Sequence, residues 1–256
     1  MSGHSQVQHT KIQIDGKIIQ LIPAIDRTTI LVNGLKNDHS ILLKKIDLAG
    51  DEIGEINLDR SVDNFNVKFF NSDRILGNTF SEDQNPDLYD INVFDWENPN
   101  PKYSIQGTRM IEITGKYFSI PHPSIVGRET LIDLMSGMEY QGTDEQEEFK
   151  DVDYPIGYVE SNTYFEWFVK LLSNLGYHAV RLCEHLNWNE KHIISFYTTN
   201  GSTLENHICI IDKNGLKLFH HRLAKDLKGI GMDTFFVIEN RVIFVDDQNV
   251  LSILHE

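Results

Sequence analysis

Glu184, His185 and Asp233 are the residues whose types and positions come nearest to a chemical site. Two carboxylates beside an imidazole can hold a cation or amine, or divide acid and base work between them. Each lies in or just before a β-type run, 179–186 and 234–238, that opens a repeated unit. His122, between Pro121 and Pro123, is held in a stiff extended stretch and is a further candidate beside them. The competing role for such groups is to satisfy turn amides or to solvate a channel. His220-His221 invites a metal reading, but neighbouring strand residues point to opposite faces and cannot easily share one ion. Ser136 lies in a turn with nothing to activate it. No phosphate loop, dinucleotide fingerprint, metalloprotease helix or nucleophile elbow occurs. The acidic run Asp144-Glu145-Gln146-Glu147-Glu148 lacks the spacing and turn glycine of a calcium loop. The expected ligand-binding set is therefore Glu184, His185 and Asp233, with no catalytic residue, metal or cofactor assigned.

Charge narrows the partners. The 256 residues carry 38 acids against 23 bases, a formal charge of -15. Phosphate backbones and anionic membranes attract Lys and Arg, so neither is an expected partner. A small cationic ligand or a protein partner fits better, and an anion would need a base such as Arg181 brought in. Cys183 and Cys209 are the only cysteines, too few for a disulfide framework, and read as buried thiols in strands. Met1 to Thr10 has neither the charged nor the apolar region of a signal peptide, and no apolar run approaches membrane-spanning length. These features point to a cytoplasmic protein.

The elements that must position these groups are repeated. An apolar strand ending in Asp, then a short turn to Gly or Asn, then another strand, recurs at Ile46-Asp47, Phe94-Asp95, Ile132-Asp133 and Ile211-Asp212. One hairpin copied along a chain marks a stacked repeat architecture. Short Ile/Leu/Val-rich runs group as 18–58, 64–107, 110–141 and 179–223, each reading as a four-strand meander. The last group, 234–255, has only three strands, and the missing one is expected at Thr10 to Asp15. The expectation is an all-β, β-propeller-like ring of about five four-stranded blades in a single domain, 1–256, with an N-terminal strand 10–15 closing the last blade. A sixth blade from Asp144 to Val159, or a β-sandwich, is the alternative.

The rhythm breaks at 143–176, where the acidic loop precedes an amphipathic helix. Tyr164, Phe165, Phe168, Leu171, Leu172 and Leu175 fall at helical spacing, Ser161 or Asn162 can cap the start, and Gly176 ends it. Its apolar face is expected against the β body, with partner binding as the sharper use. Trp96, Trp167 and Trp188 read as packing residues, and any one left exposed would mark a binding surface.

Three stretches carry a family resemblance: Pro155-Ile156-Gly157-Tyr158-Val159-Glu160, His192-Ile193-Ile194-Ser195-Phe196-Tyr197, and Gly229-Ile230-Gly231-Met232-Asp233-Thr234-Phe235-Phe236. From about Pro155 to Leu254 the chain resembles the uncharacterised bacterial family catalogued as domain of unknown function 4905. The resemblance implies a propeller-like β fold and carries over no catalytic residue. The expected function is a non-catalytic binding or interaction module; the alternative is a hydrolase or lyase using carboxylates at the axial mouth.

Overall fold

The computed structural model describes residues 7–24, 26–58, 65–80, 88–140 and 152–256. Two compact units emerge: unit 1 is Met1–Asp15 with Asp151–Glu256, and unit 2 is Gly16–Lys150. The acidic run 144–148 lies outside the described residues.

In unit 1, β1 (Gln8–Gln13) runs antiparallel to β20 (Val250–His255), the last strand. Ile14 follows it into the core at 2 % exposure, and its N–H reaches Asn249 O at 3.1 Å. This is the expected borrowed strand, shifted about two residues towards the N-terminus. Unit 2 holds three sheets. The first is β2 (Lys17–Pro23), β3 (Thr29–Leu35), β4 (Ile41–Asp47) and β5 (Glu52–Leu58). The second is β6 (Asn66–Phe70), β7 (Arg74–Phe80), β8 (Tyr89–Asp95) and β9 (Tyr103–Thr108). The third is smaller: β10 (Glu112–Ile113), β11 (Tyr117–Pro121) and β12 (Glu129–Asp133), with Glu139 adding one bridge to Ile132. Back in unit 1, the fourth sheet is β13 (Ile156–Val159), β14 (Val180–Trp188), β15 (Lys191–Asn200), β16 (Thr203–Asp212) and β17 (Lys217–Leu227). The fifth sheet joins β18 (Phe235–Ile238) and β19 (Arg241–Val245) to β20 and β1.

The chain is thus all-β and propeller-like in its parts: five successive antiparallel sheets with one described helix. The alternative sixth blade at 144–159 does not form from its described part. Ile156–Val159 instead adds a fifth strand to the fourth sheet, and Asp153 bridges to Val237.

The recurrent Asp works as a hairpin clamp. Asp47 Oδ1 accepts the N–H groups of Ala49, Gly50 and Asp51 at 2.8–2.9 Å, and Asp212 Oδ1 accepts those of Asn214 and Leu216. Asp133 holds Ser136 in the same way. Such side-chain acceptors fix tight turns that would otherwise leave amides unpaired. Asp95 differs, pairing with Arg74 across the sheet.

The helix α1 (Phe165–Ser173) is shorter than the spacing predicts because Asn162 accepts the Tyr164 N–H in a turn before the helix begins. Gly176, at φ +85°, ends it, and the Tyr177 N–H returns to Leu172 O. Phe165, Phe168 and Leu172 are buried among Cys183, Ile194, Phe196, Cys209 and Ile211, with Leu175 partly buried beside them. Burial pushes both thiols up to about 12, which makes them packing groups.

Candidate functional site

Glu184 sits on β14 at 1 % exposure and spends both carboxylate oxygens inside the protein. Oε1 accepts the Asp233 N–H; Oε2 accepts the Thr234 hydroxyl and, at 3.2 Å, the Thr234 N–H. Behind Thr234 stands Ser195 Oγ at 2.8 Å, and Asn206 Nδ2 donates to Ser195 Oγ at 3.1 Å. A hydroxyl has one proton. With the Thr234 proton on the carboxylate, Ser195 donates to Thr234 and accepts from Asn206, so the chain of bonds is closed. Burial raises the Glu184 pKa against the pull of these donors. Tyr197 pins the same loop, its hydroxyl bonded to both N–H and C=O of Gly231.

The structure therefore brings Glu184 and Asp233 together, through the backbone of Asp233, whose own side chain is exposed. It does not bring His185 with them. Successive strand residues face opposite ways, and His185 Nε2 meets His192 Nδ1 at 3.0 Å while its ring packs on Phe168 of α1. Burial, then His192, lowers the His185 pKa to about 4. His122, in unit 2, turns its Nδ1 onto the N–H groups of Ser124 and Ile125. His220 and His221 diverge as strand geometry requires: His220 stacks on Tyr177 and His207, while His221 bonds Asp246 at 3.0 Å. Among the described residues no group of three His, Cys, Asp or Glu is placed to hold a metal, and no helix is long and apolar enough to cross a membrane. Of the tryptophans, Trp188 is buried and Trp96 donates to Asn71 O; Trp167 on α1 is 48 % exposed.

Unit 2 contains a different arrangement that sequence reasoning missed. Asn33 on β3 and Asn78 on β7 are 3 % and 8 % exposed, and each leaves a buried Oδ1 with no hydrogen-bond partner among the described residues. An unpaired buried polar atom costs about 1–3 kcal/mol, so each is a standing expense to the fold. The two positions correspond. Leu31-Val32-Asn33 and Leu76-Gly77-Asn78 run down the second strand of successive sheets, with Leu31 and Leu76 in the adjoining cores. Each Asn faces a carboxamide on the first strand, Gln20 opposite Asn33 and Asn66 opposite Asn78, and a register shift interrupts each pairing nearby. Gly77 makes this possible in the second sheet. The Phe65 ring lies where a Cβ would be, at 2.4 Å, so only glycine lets Phe65 seat against β7 and carry Asn66 beside Asn78.

Two cavities open at these carboxamides. One, of 490 Å³, is lined by Asn66, Asn78, Phe80, Tyr89, Lys68 and Glu112 among others. The second, of 410 Å³, is lined by Gln20, Asn33, His39, Phe65 and again Asn66. Phe80 and Tyr89 are register partners whose ring centroids lie 5.5 Å apart, and Phe80 is 62 % exposed. Lys68 is the residue set aside by the β6 register shift. Cavities of this size hold small molecules. The available signal was a carboxamide recurring at an inward strand position just after an apolar run.

No family model matches the chain, so the resemblance to domain of unknown function 4905 is not supported. No curated protein matches either. Among solved structures the chain is similar to Kluyveromyces lactis Hsv2, at 8 % identity and TM-score 0.35 over 94 % of this chain and 98 % of that one. A member of the DUF4221 family from Bacteroides vulgatus gives 8 % identity and TM-score 0.36 over 98 % of each chain. The β-propeller domain of Cps50 (Swd1) from Myceliophteria thermophila gives 8 % and 0.26 over 93 % and 68 %. Likenesses this distant define neither family nor activity.

Proposed function

We propose that this protein is a non-catalytic binding module that takes a small, uncharged polar ligand in the paired cavities of unit 2. The observation that carries the reading is the repeated orphan carboxamide, Asn33 and Asn78, each buried, unpartnered and lining a cavity. A fold that tolerates the same cost at two corresponding positions has a use for those atoms when a ligand is present. The carboxylate best suited by sequence to acid–base work, Glu184, is committed to a loop, which favours binding over the hydrolase or lyase alternative. A thermal-shift screen against sugars, nucleosides, free amino acids and short peptides tests the reading. It predicts a ligand that raises the melting temperature of the wild type and not of Asn78→Leu. Shifts that persist in Asn78→Leu, or none at all, contradict it.

A further inference from the structure

The ligand class follows from the shape and chemistry of the two cavities. We infer that unit 2 binds a neutral oligosaccharide across them, with one sugar ring in each; this rests on the binding reading above and adds the ligand to it. The first reason is the orphan atoms themselves. A sugar hydroxyl donates and accepts, so it satisfies Asn33 or Asn78 whichever way each carboxamide is turned. A bare cation or anion would serve only one orientation.

The second reason is the aromatic wall. Phe80 is exposed to 62 % although it is large and apolar, and it stands against Tyr89 in the same cavity as Asn66 and Asn78. The electron-rich face of an aromatic ring attracts the weakly positive C–H edge of a pyranose. A flat apolar face beside converging hydrogen-bonding groups suits a molecule that is itself apolar on one face and hydroxylated around its rim.

Charge supplies the third reason. The charged side chains at the larger cavity, Lys68 and Glu112, are of opposite sign, and the chain as a whole is strongly acidic. Neither favours an anionic sugar. The last reason is repetition. Gln20 with Asn33 and Asn66 with Asn78 are equivalent pairs on successive sheets, and Asn66 borders both cavities. A ligand that repeats the same hydroxylated unit matches a site that repeats the same carboxamide pair.

The test is a glycan array of unmodified gluco-, manno-, galacto- and xylo-oligosaccharides, run beside an overlapping peptide array, followed by titration calorimetry with the retained glycan. The expected result is one neutral glycan series bound by the wild type. Asn78→Leu and the exposed-site variant Phe80→Ala should each bind it about tenfold or more weakly with no fall in melting temperature. Asn33→Leu should weaken binding of the disaccharide, which needs both cavities, more than binding of the monosaccharide. Peptides retained in place of glycans, and lost in Asn78→Leu, would overturn the saccharide assignment while leaving the cavity a binding site. Glycan binding unchanged in both Asn78→Leu and Phe80→Ala, or nothing dependent on Asn78 on either array, would overturn this site as well.

Discussion

Asn206 in unit 1 and Asn78 in unit 2 are both strand residues held almost wholly out of water, at 3 % and 8 % exposure. Their carboxamides meet different fates. Asn206 donates to Ser195 Oγ at 3.1 Å and to Phe196 O at 3.3 Å, and through Ser195 and Thr234 it supports Glu184. Asn78 leaves its Oδ1 unpaired at the wall of a cavity. Burial alone therefore does not separate a structural polar group from one held ready for a ligand. What separates them is whether the surrounding chain has already provided the partner. The chain around Glu184 in unit 1 is closed on a loop, and unit 2 leaves two carboxamide oxygens open at equivalent places.

The comparison can be broken first at the seam of unit 1. Deleting residues through Asp15 strips β1 from β20, takes the buried Ile14 out of the core and uncovers the Ser252 hydroxyl that meets His9 at 3.0 Å. At about 25 cal/mol per Å² of apolar area the loss is several kcal/mol, read as a fall in denaturation midpoint. An unchanged midpoint would remove the borrowed strand from the account. Next in size is Phe168→Ala, which empties a site 3 % exposed between α1 and the sheet and should cost about 3–5 kcal/mol by urea denaturation. Glu184→Leu comes third. It strands the Asp233 and Thr234 amides, for about 2–3 kcal/mol, and should loosen the 229–234 loop in hydrogen exchange.

Acid should weaken unit 1 more gently. His9, His185 and His220 are lowered from 6.5 to about 4, chiefly by burial, so the folded state keeps them neutral while the unfolded chain protonates them. Stability from this source is complete above pH 6.5 and declines as pH falls towards 4. Glu184 opposes the trend, since its raised pKa favours the folded state as it protonates, but it is one group against these three and His207, which burial also lowers. Denaturation midpoints at pH 7.5 and 5 check the sign. No decline would mean the three rings are not held neutral by burial.

Much of the fold was legible because hairpin repeats depend on local chemistry. Asp47 and Asp212 announce their turns through the residue that clamps them, and the alternation of Ile12, Gln13 and Ile14 announces β1. β13 was not legible. Four residues with exposed Ile156 and Val159 carry no pattern of their own, and only pairing to β14 makes them a strand. Of the residues singled out from sequence, Glu184 meets only the backbone of Asp233, and His185 is turned away by strand alternation. The carboxamide pairs escaped notice because an Asn after an apolar run looks like the end of a strand. Only cross-strand register reveals that Asn33 faces Gln20 and Asn78 faces Asn66.

The smallest predicted effect bears most directly on the contrast between the units: the melting temperatures of Asn78→Leu and Asn206→Leu, measured side by side without ligand. Replacing a buried unpaired carboxamide by an apolar side chain of similar size removes a cost, and Asn78→Leu should melt at or slightly above the wild type, by about 1 kcal/mol. Asn206→Leu breaks bonds already made to Ser195 and Phe196 and should melt lower by about 1–3 kcal/mol. Equal destabilisation by both would show that Asn78 is as structural as Asn206, and would contradict the assignment of unit 2 as the ligand-binding half.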